Sequence, residues 1–135
     1  MNKKVAIEHC SAYEPETVYR ALKKAAELAG TLDLSGKTVL LKPNILSDSA
    51  PEKGVTTHPV FLEAAIRLVR EWGASRILVG DSPGIQTPGF SGKVCGLGDI
   101  TRKNGAEWVD FTSEKTEIFC SDAKTMKKFS QFFRS

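Results

Sequence analysis

Cysteine and histidine are scarce in this chain: Cys10, Cys95 and Cys120, with His9 and His58, among 135 residues. The three cysteines are odd in number, far apart and without a C-x-x-C. This chain alone therefore assembles neither a zinc ribbon nor an iron–sulfur ladder. The thiols read as small buried hydrophobes. Cys10 is set apart because it lies just past an expected strand, where loops carry chemistry. Two histidines without a motif define no metal site, and no metal ligand is expected. Long apolar runs are lacking too. No window approaches ~20 uninterrupted apolar residues, so no membrane span is expected. Met1-Asn2-Lys3-Lys4 leads into only three apolar residues before Glu8, too few for a signal-peptide core, and a cytoplasmic location is the expectation. The net charge of +3 is small and scattered, and aromatic residues are not interleaved with basic ones. Nucleic acid is accordingly not an expected partner. Neither a G-x-G-x-x-G opening a helix after a strand nor a G-x-x-x-x-G-K-[ST] occurs, and no internal repeat is visible.

What is present fits one globular domain. The chain is 41% hydrophobic and 26% charged, ordinary values for a domain of this length. Lys4 to Glu8 is short and β-branched and reads as a first strand. Ser11 to Glu14 is a polar loop. Pro15 suits the first turn of a helix, where its missing N–H costs nothing. From Pro15 to Ala29, Val18, Leu22, Ala25 and Leu28 or Ala29 recur at helical spacing, and Gly30 is a suitable stop. Thr38 to Leu41 is a second strand, apolar throughout as in a parallel sheet covered on both faces, and Pro43 ends it. Residues 45–55 form the longest structureless connection, a length at which a functional role becomes commoner.

Pro59 to Trp72 is the second helix. Its stripe runs through Phe61, Ala64 or Ala65, Leu68 and Trp72, with Thr57 or His58 as N-cap and Gly73 as stop. Arg76 to Gly80 is a third strand, broken by Asp81-Ser82-Pro83-Gly84. Val94 to Asn104 is a weaker helix containing Gly96 and Gly98. Glu107 to Phe111 is a fourth strand and Glu117 to Cys120 a candidate fifth. This alternation predicts the α/β class: a mostly parallel sheet of four to five strands, helices on both faces, and Rossmann-like layering without a dinucleotide fingerprint. Residues 1–120 form the α/β domain. Residues 121–135 form a basic, aromatic tail carrying Met126, Phe129, Phe132 and Phe133, either an amphipathic surface helix or an apolar segment that packs on something outside this chain. The second reading suggests a fragment or a shortened protein.

In open α/β sheets, ligands bind beyond the carboxyl ends of the strands. Lys42-Pro43-Asn44, Asp81-Ser82-Pro83-Gly84 and Cys10-Ser11 should all arrive there. The helix beginning near Thr57-His58-Pro59 would add its free N–H groups. Lys42, Asn44, Thr56, Thr57, Asp81 and Ser82 are therefore candidate ligand-binding residues for a small anion such as phosphate or carboxylate. Lys42, His58 and Asp81 are also candidate catalytic residues, the last two as proton carriers and Lys42 stabilising developing negative charge. Each has a plainer explanation. Lys42 can simply solvate a strand end, Asn44 can serve a turn, Thr56 and Thr57 can cap a helix, and residues 81–84 can be a tight turn.

At these same residues the chain resembles the prokaryotic family catalogued as domain of unknown function 362. The likeness lies in Leu40-Leu41-Lys42-Pro43-Asn44, in Pro51-Glu52-Lys53 with Val55-Thr56-Thr57-His58-Pro59, and in Val79-Gly80-Asp81-Ser82-Pro83-Gly84. Trp108-Val109-Asp110-Phe111 extends it, so that it covers roughly residues 4–120. The resemblance implies an α/β domain and a redox setting, since many members carry a ferredoxin-like segment further on that binds four-iron–four-sulfur clusters. With its cysteines scattered, this chain itself is expected to bind no cofactor, such a cluster being possible in longer relatives. Members usually run to twice this length or more, and carry a second lysine- and histidine-bearing segment that this chain lacks. An exposed sheet edge or apolar face is then expected, with a homodimer formed through that edge or the aromatic tail. Three functions stay open: the amino-terminal part of an iron–sulfur-associated redox protein, an enzyme domain for a small carboxylate or phosphate, or a non-catalytic interaction module. The layout also faintly resembles the amino-terminal half of nickel-pincer lactate racemases, whose metal-site histidines have no match here.

Overall fold

The computed structural model describes residues 4–81, 92–109 and 111, together with the backbone of two strands, Thr116–Ile118 and Lys128–Ser130. Helix α1 spans Pro15–Ala29, with the bounds the apolar spacing predicts. Its start is held by Glu14, whose carboxylate accepts from the Thr17 N–H at 2.8 Å and the Thr17 hydroxyl at 2.7 Å. Gly30 closes it at φ 129°, donating to the Ala26 carbonyl. Strand β1 is Thr38–Leu41, helix α2 Pro59–Glu71 and strand β2 Arg76–Val79. Helix α3 is Leu97–Lys103, shorter than expected because Gly96 serves as its left-handed N-cap. Strand β3 is Glu107–Trp108, and Thr116–Ile118 and Lys128–Ser130 are β4 and β5.

The α/β class holds. Strands β1, β2 and β3 pair in parallel in sequence order, with Leu41 opposite Val79 and Val79 opposite Trp108. The described residues thus give three strands to the parallel sheet, against four to five expected. Two of the expected strands account for the difference. Lys4 to Glu8 has no ladder partner among the described residues, and Val5 and Ile7 stand 88% and 90% exposed. Residues near the expected fifth strand instead form β4, which pairs antiparallel with β5 in a separate two-stranded sheet. Within the tail, Lys128–Ser130 is extended rather than helical. Among the described residues, neither run has a neighbour in the main sheet.

Helix α2 is apolar on two sides, which the single expected stripe did not anticipate. Leu62, Ile66 and Val69 face the sheet, packing with Leu41, Ile77, Val79, Leu97, Ile100 and Trp108 into the main core. Val60, Ala64, Leu68 and Trp72 face α1, meeting Val18, Tyr19, Leu22 and Ala26. Helices α2 and α3 share the main core with one face of the sheet, while α1 packs on α2. The described helices therefore do not sandwich the sheet as expected. Leu28, expected in the α1 stripe, is exposed, as is Phe61 of α2. Tyr19 takes the buried place instead. Its phenol donates to Glu71, and the Arg67 guanidinium lies 3.5 Å over its ring. Ile66, Val79 and Leu97 are fully buried, each contributing about 1.5–3 kcal/mol by removal from water.

Candidate functional site at the carboxyl edge of the sheet

Because β1 and β2 are parallel and in register, whatever follows Leu41 must lie beside whatever follows Val79. The Gly80 N–H extends the ladder by donating to the Leu41 carbonyl at 3.2 Å. Lys42 and Asp81 come next, and the Lys42 ammonium contacts Asp81 Oδ1. The other carboxylate oxygen, Oδ2, accepts from the Ile45 N–H at 2.8 Å. The two partners sit very differently: the Asp81 side chain is 5% exposed and that of Lys42 57%. Gly80 is required for this approach. A Cβ there would lie 2.5 Å from the Val109 carbonyl oxygen, closer than any packing tolerates.

The connection from β1 to α2 is more ordered than its composition suggests. The Thr57 N–H donates to the Asn44 carbonyl at 2.9 Å, and the Asn44 N–H donates to the Thr57 hydroxyl oxygen at 2.9 Å. Ile45 and Thr56 form an isolated antiparallel bridge, Pro51–Lys53 is a 3₁₀ turn, and the Thr56 hydroxyl donates to the Ser47 carbonyl. Ile45, 2% exposed, anchors the loop in the core. Asp48 ties it to the segment entering α3, its Oδ1 accepting from the Cys95 N–H at 2.7 Å. The loop expected to lack structure is thus pinned at its start, middle and end. No sequence signal marks Asp48, because its partner lies 47 residues away.

Of the predicted site residues, Lys42 and Asp81 are brought together, and Asn44, Thr56 and Thr57 lie in the loop beside them. The hydroxyls of Thr56 and Thr57 bond within that loop rather than capping the helix, the place their plainer reading gave them. His58 is the N-cap of α2: its Nδ1 accepts from the Val60 N–H at 3.2 Å, and its ring stacks on Tyr13 at 4.0 Å. The helix N-terminus is therefore not an open set of donors. Pro59 has no N–H, and the Phe61 and Leu62 N–H groups donate to the His58 carbonyl. Ser82 lies outside the described residues, as do Cys120 and Asp110.

Cys95 is buried beneath the site, as a small hydrophobe should be, and burial pushes its thiol pKa up. Cys10 is exposed, on the wall of a cavity of about 420 Å³ between the N-terminal segment and α1. Leu22, Ala25 and Phe61 contribute to the other walls. Among the described residues, no group of three or more His, Cys, Asp or Glu side chains is placed to hold a metal ion. No helix among them is long and apolar enough to cross a membrane.

Comparison with known proteins adds a family and one distant relative. The model of the family described as "Domain of unknown function (DUF362)" matches residues 39–134, more than half of the chain. A protein named "Thylakoid-associated protein sll1697", from Synechocystis, is 33% identical over 86 residues, covering 62% of this chain. The chain spans only 26% of that relative's length. No solved structure matches.

Proposed function

This chain belongs to the DUF362 family, and from that premise we propose that it is the amino-terminal part of an iron–sulfur-associated redox protein whose Lys42–Asp81 edge binds a small anion. The observation that carries the site is the asymmetric ion pair. A carboxylate that is 5% exposed fixes a lysine that is 57% exposed, at the strand end where α/β sheets take ligands. An ammonium has three N–H donors. One faces Asp81, leaving the others for phosphate or carboxylate oxygens, and the bond from Ile45 keeps the aspartate in place while they engage.

The redox setting rests on the family resemblance, and the much greater length of the relative supports a larger whole. The described residues do not gather a metal-holding group, so a cluster would belong to other parts of such a protein. Lys42 and Asp81 are assigned binding and no electron-transfer step.

Titration calorimetry with inorganic phosphate, sulfate and small carboxylates tests the site. The wild-type chain should bind at least one of them saturably. Lys42→Met should weaken that binding by at least about tenfold, a loss of ~1.4 kcal/mol, with its far-UV spectrum unchanged. A wild type that binds none of them, or a variant that binds equally well, overturns the assignment.

A further inference from the structure

Residues Lys4 to Glu8 carry a pattern that the anion site leaves unused. The segment alternates as a strand does: Val5 and Ile7 point outward, 88% and 90% exposed, while Ala6 and Glu8 are only partly exposed. Glu8 is held against α1 by an ion pair with Lys24 at 2.9 Å. No strand among the described residues pairs with this segment, although two adjacent outward positions are β-branched. A β-prone run in this state, with no backbone ladder among the described residues and an apolar face, has the combination that attracts a strand.

The order of residues indicates which strand. Read antiparallel against its own copy, Lys-Val-Ala-Ile-Glu is self-complementary about Ala6. Lys4 meets Glu8 of the second copy, Val5 meets Ile7, Ala6 meets Ala6, and the same contacts recur in reverse. Around the neutral Ala6 pair, the Val5–Ile7 pairs on one face are β-branched, and on the other each Lys4 approaches the Glu8 that its partner chain already pairs with Lys24. A two-fold axis is the commonest symmetry of paired identical chains. A parallel pairing would set Lys4 against Lys4 and Glu8 against Glu8, so charge selects the antiparallel arrangement. We propose that this protein self-associates through antiparallel pairing of its N-terminal segments across a two-fold axis at Ala6. This interface is independent of the anion site.

The test is sedimentation equilibrium of the full chain over a wide concentration range, with Ala6→Pro as the diagnostic variant. Proline removes the central N–H and cannot join a ladder. It sits in an exposed segment ahead of α1, so helix content measured in parallel should not change. The wild type should rise to twice the single-chain mass, and Ala6→Pro should stay at the single-chain mass. A second variant reads the register directly. In a Cys10→Ser background, Ala6→Cys should form an intermolecular disulfide on mild oxidation, because it faces its own copy, and Val5→Cys, which faces Ile7, should cross-link far less. A wild type of single-chain mass throughout, a dimer that survives Ala6→Pro, or equal cross-linking at positions 5 and 6 overturns the proposal.

Discussion

The two ends of the parallel sheet each carry an ion pair, and they are built to opposite specifications. At the amino end, Arg76 and Glu107 meet through two hydrogen bonds of 2.8 and 2.6 Å, with both side chains more than half exposed. At the carboxyl end, Lys42 meets an aspartate that is almost wholly buried and also bonded to a backbone N–H. The first pair, for all its two-pronged geometry, leaves either member open to water when the other is removed, so each loss costs little beyond the pair itself. The second cannot, because removing the lysine leaves a desolvated carboxylate behind. A surface tie and a held cation thus look alike as contacts and differ in what their burial makes of them.

That contrast is sharpened most strongly at Asp81. Asp81→Ala should destabilise the fold by about 3 kcal/mol, since it strips the buried Ile45 N–H of its acceptor, read from urea unfolding midpoints. A variant as stable as wild type would erase the difference between the two ends. Gly80→Ala comes next, at about 2 kcal/mol from forcing a methyl group against the Val109 carbonyl. A double-mutant cycle on Lys42 and Asp81 should return a coupling of about 1 kcal/mol. The same cycle on Arg76 and Glu107 should return no measurable coupling once salt is raised. Equal couplings at both ends would contradict the account.

Acid affects the exposed pairs in a definite direction. The Arg76 hydrogen bond holds the Glu107 carboxyl below its ordinary value of 4.5, and bonds from Lys23 and then Tyr19 do the same to Glu71. With folded pKa values depressed, the unfolded chain binds more protons in the window below 4.5. The stabilisation is therefore full above that value and lost as pH falls through the folded values. Unfolding midpoints taken from about pH 6 to about pH 3 should decline, and Glu71→Gln should make the decline shallower. A slope unchanged by that substitution would remove Glu71 from the explanation.

Much of the fold was legible because it is local. The bounds of α1 follow from Pro15, the spacing of Val18 and Leu22, and Gly30; β1 follows from an apolar run closed by Pro43. The meeting of Lys42 and Asp81 was legible one step further on, because parallel strands place their following residues together. What stayed hidden depended on distant partners. Lys4 to Glu8 has strand composition, but composition does not supply a neighbour. The sheet-facing row Leu62, Ile66 and Val69 was hidden because α2 is apolar on two sides, and one stripe already satisfied the helical period. Asp48 looked like one more polar loop residue until the fold set Cys95 against it. Thr57 and His58 were marked by type, yet their bonds turn inward to the loop and the helix cap.

The anion site proposed at the cation held by Asp81 stands or falls on one titration. Amide chemical shifts during titration with inorganic phosphate test it most directly, because Ile45 donates to the same carboxylate that fixes Lys42. Saturable movement of the Ile45 amide that disappears in Lys42→Met is the predicted result. An Ile45 amide that stays still, or moves identically in wild type and variant, would contradict it.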